Sequence, residues 1–175
     1  MSRWLVVVGI LVAGAVGVAD VGAVTDGQRA TYRIDRVTDG DTVVLRNGQR
    51  VRLVQIDTPE VFFGTECYGR EASATTKRLL LAGTRVRLLI EPAADRVDEY
   101  GRLLRYVVRA RDGVNVNLRL VALGAGAPYF YDRVRGRYAR QLETLARRAR
   151  SRGLGLWGAC PRTVYDPYRA LETRR

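Results

Sequence analysis

Residues 32–57 read YRIDRVTDGDTVVLRNGQRVRLVQID, and their pattern decides the fold class. Asn47-Gly48 is the strongest short hairpin signal in the chain. Val43, Val44 and Leu45 precede it; Val51, Leu53 and Ile56 follow it. The stretch therefore predicts a strand, a tight loop, a second strand, a hairpin and a third strand running on to Ile56. Working outward, residues 68–83 (YGREASATTKRLLLAG) predict a helix with Ala72, Thr75, Thr76 and Leu79 near one face, and Gly83 as its stop. TRVRLLIEP (84–92) predicts a fourth strand closed by Pro92. GRLLRYVVRARDG (101–113) predicts a fifth, with Asp112-Gly113 as its turn. NVNLRLVALGAG (115–126) reads as a short helix. RGRYARQLETLARRARSRG (135–153) reads as a longer one, with Tyr138, Leu142, Leu145, Ala146 and Ala149 as the apolar stripe. The expectation is an α+β domain over 30–160: a five-stranded OB-type Greek-key barrel with three helices, followed by a tail (161–175) packed only in part. Such a barrel binds nucleic acids or sugars in many proteins, but the fold alone assigns no reaction.

Composition narrows the chemistry. The chain has 175 residues, 47% of them hydrophobic, which is enough for one domain with a core. Its formal charge is +12 and its pI about 10.6, a balance that favours nucleic acid or an acidic membrane surface as partner. Every basic residue but Lys77 is arginine, a skew that the codon bias of a GC-rich genome also produces. There is no histidine, which excludes histidine metal sites, histidine bases and Ser-His-Asp triads. Two cysteines cannot build a tetrahedral zinc site alone. Hydrolytic chemistry must then rest on carboxylates, arginines, tyrosines and a hard cation held by oxygen. Residues 1–23 begin with a basic Arg3 and an apolar run from Trp4 to Ala19. Gly17-Val18-Ala19 and Val21-Gly22-Ala23 follow as small-residue cleavage sites. The run resembles a secretory signal and is short of the about 20 residues of a comfortable span; an uncleaved anchor is the alternative. Either implies a secreted or extracytoplasmic protein, in which Cys67 and Cys160 form a disulfide rather than two free thiols.

The candidate site starts at DGDT (39–42). Alone this is an ordinary Asp-Gly turn. With the hairpin in register, however, Asp41 and Thr42 fall near the far end of the third strand, where Asp57 lies. Two carboxylates placed together repel each other unless a cation joins them, and a hard ion with oxygen ligands fits. Pro59 stiffens the strand's exit and aims Glu60. Arg52 and Arg102 begin the third and fifth strands, and arginine binds phosphate oxygens through a planar fork. These are the parts needed for phosphodiester hydrolysis without histidine.

Together DGDT, RLVQIDTPE, YGREA and DEYGRLLRY resemble the thermonuclease (staphylococcal-nuclease-like) family in order and approximate spacing, from about Tyr32 to Trp157. The resemblance implies an exported, calcium-dependent nuclease acting on DNA and RNA, single strands preferred, with 3′-phosphate products, working as a monomer. Asp41 and Asp57 would be the Ca2+ carboxylates, and Thr58 would add a backbone oxygen. Arg52 and Arg102 would hold the phosphate, and Glu60 would be the general base. Tyr100, Tyr129 and Tyr131 resemble the family's nucleotide-contacting tyrosines, although core packing beside Pro128 suits the latter two equally well. Two departures stand out. The loop from Glu60 to Tyr68 is shorter than in the best-known member, and Glu99 replaces a lysine. The competing readings are a non-catalytic nucleic-acid-binding module on the same barrel and a basic, membrane-held scaffold domain.

Overall fold

The structure, a computed structural model, describes residues 30–62 and 64–174. The signal or anchor over 1–23 lies outside the described residues; among those described, no helix is long and apolar enough to cross a membrane. The chain forms β1 (Thr31–Val37), β2 (Thr42–Leu45), β3 (Arg50–Leu53), β4 (Ile56–Asp57), α1 (Gly69–Leu79), β5 (Arg85–Leu89), β6 (Leu103–Arg109), α2 (Val116–Ala122), β7 (Ala127–Pro128), α3 (Ala139–Ser151) and α4 (Leu156–Ala159). Strands β1, β2, β3, β6 and β5 close a barrel in that order, and β4 pairs with β7 beside it. All barrel pairings are antiparallel except β3 with β6, where Val51 stands opposite Leu103 and Arg52 opposite Leu104. This is the expected five-strand barrel, with three long helices and one short one.

Alternation explains the barrel's interior. Val43, Leu45, Val51, Leu53, Val86, Leu88 and Val107 point inward, and the arginines of β3 and β5 fall between them on the outer side of each pleat. Helices α2 and α3 cover the rest of this core through Leu120, Val121, Leu142 and Ala146. Asn117, fully buried, fastens α2 to the barrel: its side-chain amide donates to the Val54 carbonyl at 2.9 Å and its oxygen accepts from the Val107 N–H at 3.0 Å. A buried amide is tolerated only when both ends are satisfied in this way.

Three expectations need correction. The third strand does not reach Ile56. It ends at Leu53, and the backbone turns at Gln55, which sits at φ 65°. That left-handed conformation is costly for a residue with a Cβ. Gln55 is held in it by its own side chain, whose Nε2 donates to the Val134 carbonyl at 2.7 Å and whose Oε1 accepts from the Gly136 N–H at 2.9 Å. Gly83 is not the stop of α1. The helix ends at Leu79 with Leu80 as cap, and Gly83, at φ +83°, turns the chain into β5. The last long helix begins at Ala139 rather than 135.

The terminal segment is folded onto the domain. Leu171 is buried beside Ala127, Leu156 and Cys160. The Phe130 N–H donates to the Pro167 carbonyl at 2.7 Å, and the Thr173 hydroxyl donates to the Cys67 carbonyl at 2.6 Å. Cys67 and Cys160 form a disulfide that spans 93 residues.

Candidate active site

The turn between β1 and β2 is built by Asp39. Its Oδ1 accepts the N–H groups of Asp41 and Thr42 at 3.0 and 2.7 Å, an Asx turn that aims Asp41 back toward the barrel. Gly40 has no substitute here, because a Cβ would lie 2.3 Å from the Thr58 hydroxyl oxygen. Asp41 is thereby brought against the segment after β3, and its Oδ2 accepts both the N–H and the hydroxyl of Thr58, at 3.1 and 3.0 Å. Thr42, not Asp57, is the register partner of Arg52. Asp57 reaches the site because the chain folds back at Val54 and Gln55 to form β4.

Arg52 joins the two carboxylates. Its Nε lies 3.1 Å from Asp41 Oδ1 and its Nη2 2.6 Å from Asp57 Oδ1. Its Nη1 donates to the carbonyls of Leu53 and Ile56 at 2.9 and 2.8 Å, which fixes the turn as well. The other oxygen of Asp57 accepts the Leu171 N–H at 2.8 Å. Asp41 and Asp57 are 6% and 9% exposed. Burial raises both carboxyls above their ordinary range, Arg52 opposes that rise, and for Asp41 the Asp57 charge adds to it.

Glu60 stands at the exposed edge of this cluster. Its backbone is pinned twice, by its N–H to Glu66 Oε2 at 3.1 Å and by its carbonyl, which accepts the Glu66 N–H at 2.9 Å. Gly69, at the start of α1, lets the helix approach that carbonyl; a Cβ would come within 2.3 Å of it. Partial burial, then the charges of Asp41, Asp39 and Asp57, push the Glu60 carboxyl upward.

Arg102 stands immediately before β6. Its Nε lies 2.6 Å from Asp98 Oδ2, and its Nη1 donates to the Thr42 hydroxyl at 3.4 Å. Thr42 in turn donates to Asp41 Oδ1 at 3.2 Å. A continuous path of contacts thus runs Arg102, Thr42, Asp41, Arg52, Asp57. Asp98 also accepts the N–H groups of Tyr100 and Arg102 at 3.0 and 2.9 Å. Those bonds and the Arg102 charge outweigh desolvation and hold its carboxyl below the ordinary range. The two arginines line a groove of about 510 Å³ with Tyr100, Tyr129 and Tyr131. Tyr100 and Tyr131 are 62% and 71% exposed. Tyr129 meets Tyr131 edge to face with centroids 6.4 Å apart. Tyr131 is thus not the core residue that its neighbour Phe130, fully buried, turns out to be.

Every residue singled out from the sequence lies in or beside this cluster or in the disulfide. Four contributors were not singled out. Asp39 and Asp98 carry a signal, an aspartate two to four residues before the group it orients. Gln55 and the backbone of Leu171 carry none. The donor set fits a hard cation. Asp39, Asp41, Asp57 and Glu60 all act on the single guanidinium of Arg52, and a divalent ion would relieve the repulsion among them. Among the described residues, no three or more acidic, histidine or cysteine side chains gather as a metal site. Asp41, Asp57 and the Thr58 carbonyl are the oxygens that could hold such an ion, with water completing its shell.

Residues 50–159 match the family model described as staphylococcal nuclease homologue. The chain belongs to the staphylococcal nuclease family. Its similarity extends to the thermonuclease of Staphylococcus intermedius, 34% identical over 139 residues, covering 76% of this chain and 79% of the relative. The thermonuclease of Staphylococcus hyicus is 31% identical over the same length. Endonuclease YncB of Bacillus subtilis is 37% identical over 132 residues, covering 71% of this chain and 60% of that protein. The family match covers neither the β1–β2 turn that supplies Asp39, Asp41 and Thr42 nor the terminal segment that supplies Leu171.

Proposed function

We propose that this chain is an exported nuclease that hydrolyses phosphodiester bonds of DNA and RNA with calcium bound at Asp41, Asp57 and Thr58. The observation that carries the reading is the joining of Arg52, Asp41 and Asp57 at one end of the barrel, with Glu60 at the rim and Arg102 tied in through Thr42. Family membership and the nuclease names of the relatives support it. A calcium ion held there by Asp41, Asp57 and the Thr58 carbonyl would supply positive charge to offset that of the phosphate. Glu60, exposed and rigidly held at its backbone, takes a proton from the attacking water. Its raised pKa brings it nearer the basicity that task requires. Arg52 and Arg102 bind the remaining phosphate oxygens more tightly as charge develops in the transition state. The groove tyrosines receive the bases on either side of the scissile bond. The leaving oxygen is the 5′ one, so products carry 3′-phosphates. Single strands are cut faster, because a recessed phosphate is reached only by a strand that can splay its bases. The enzyme acts as a monomer outside the cytoplasm.

The test is digestion of single-stranded DNA and RNA with calcium, with chelator, and by the Glu60→Gln and Arg102→Ala variants. Loss of activity in chelator and in both variants is expected. Full activity in chelator or in Glu60→Gln would overturn the mechanism. Inactivity of folded wild type with every metal would hand the chain to the non-catalytic binding module.

A further inference from the structure

On the far side of the wall that carries Tyr129 lies a second, smaller pocket of about 200 Å³, between α3 and the terminal segment. It is smaller than the 300–1,000 Å³ of a drug-sized ligand site, and suits one ring system. Trp157 and Tyr165 meet edge to face there, with centroids 5.5 Å apart. Ala146, 4% exposed, also lines the pocket. Arg147 and Arg150 stand at its mouth. Arg150 lies over the Trp157 ring at 5.6 Å, and Arg147 donates to the Thr144 hydroxyl at 3.0 Å. Among the described residues neither arginine has a carboxylate oxygen within ion-pair distance, although the Arg147 charge acts on Glu143. Glu143 also lines the pocket, but Arg135 holds it through two bonds of 2.6 and 2.9 Å and offsets its charge.

The pocket shares structure with the catalytic groove. Tyr165 donates to the Pro128 carbonyl at 3.2 Å, one residue before Tyr129, and Phe130 donates to the Pro167 carbonyl. The ridge between the two sites is made of these same segments. It carries two more arginine–ring stacks, Arg133 over Tyr168 at 4.9 Å and Arg135 over Phe130 at 5.0 Å. Guanidinium groups beside aromatic faces are the pairing that single-stranded nucleic acid uses, the first for phosphate and the second for bases. An exposed arginine face on a helix is ordinarily just solvated. A pocket lined by tryptophan and tyrosine, and hydrogen-bonded to the segment that carries Tyr129 of the groove, is not ordinary on a +12 chain.

We propose that this pocket is a second nucleotide subsite on the substrate strand. Trp157 and Tyr165 take a base there, and Arg147 and Arg150 take its phosphate, so that the strand is gripped beyond the scissile bond. The proposal rests on the nuclease reading and extends it.

The test is fluorescence anisotropy, in chelator, of labelled oligothymidylates bound to the full chain. One has about 3 nucleotides and one about 12, lengths that fall below and within the 4–16 that a single OB barrel covers. Wild type is expected to bind the longer strand at least about tenfold more tightly. The double variant Arg147→Ala/Arg150→Ala should bind the short strand as wild type does, yet lose about tenfold on the long one. Its salt slope on the long strand should fall by about 0.7, the value for one lost phosphate contact. Arg147→Lys/Arg150→Lys should keep the slope. Equal affinity and slope of wild type and the alanine variant on the long strand would overturn the subsite while leaving a cleaving enzyme intact. Wild type that binds neither strand in chelator and cuts neither once calcium is restored would overturn the nuclease reading and the subsite with it.

Discussion

Glu60 is the residue on which the proposed chemistry turns, and its surroundings make it testable. Glu60→Gln keeps the shape and the backbone bonds to Glu66, so its melting temperature should match wild type while the rate drops by about 10² to 10⁴. Because the carboxyl must be ionised to act as base, and burial and Asp41 raise it, activity should fall as pH drops through a value above the ordinary glutamate range. A rate profile that stays flat down to that ordinary range would contradict this. Stability carries the same signature with its sign set by linkage. Asp41 and Asp57 are raised in the folded state, so the fold binds protons that the unfolded chain has already released. In chelator, thermal stability should therefore rise as pH falls from neutrality toward the ordinary carboxylate range. It should decline only below that range, where Asp98 and Glu143, both lowered, lose their partners. Melting curves across that interval decide it, and a monotonic loss on acidification would count against the buried pair. These carboxylates were legible in the sequence because DGDT and IDTPE are contiguous runs whose chemistry shows without any fold. Gln55 was not. Val51, Leu53, Val54 and Ile56 read as one strand, and nothing local announces that a glutamine will accept φ 65° in return for two bonds to a loop about eighty residues on.

At the level of elements, the barrel was readable and its attachments were not. Alternation, Asn47-Gly48 and the helical stripes report local periodicity. The pairing of β4 with β7 and the docking of the terminal segment depend on tertiary contacts that no window of residues displays. Leu171 is the sharpest case, since it acts on Asp57 through a backbone N–H that every residue but proline has. Truncation after Cys160 should accordingly disturb more than a tail. It removes a hydrogen bond to a charged group, of about 1.5–3 kcal/mol, along with the burial of Leu171. Chemical denaturation should show a loss at least that large. Unchanged stability would mean the segment is an accessory. The disulfide just ahead of it closes a loop of 93 residues, about 4 to 5 kcal/mol in the chain-entropy model. Alkylation of the unreduced, unfolded protein should find no thiol, and reductant should lower the denaturation midpoint. Uptake of two alkyl groups without reductant would refute the bridge.

For the whole molecule, net charge predicts behaviour toward substrate. With +12 on 175 residues, binding of single-stranded DNA should weaken steeply as salt rises, with a log–log slope of several units; a slope near zero would remove phosphate contacts as the source of affinity. The topology has a further consequence, one of timing. Strands β2 and β3 are joined by a tight turn over residues 46–48 and form early. The parallel pairing of β3 with β6 must wait for more than forty intervening residues to be laid down, and such distant contacts are the slow ones in folding. That late pairing is the event that brings Arg52 and Arg102 to one groove. Recovery of activity on refolding should then lag behind recovery of strand signal in circular dichroism. A chain still folding carries Arg52 and Arg102 far apart, and on the proposed mechanism it can cut no phosphodiester until the barrel shuts.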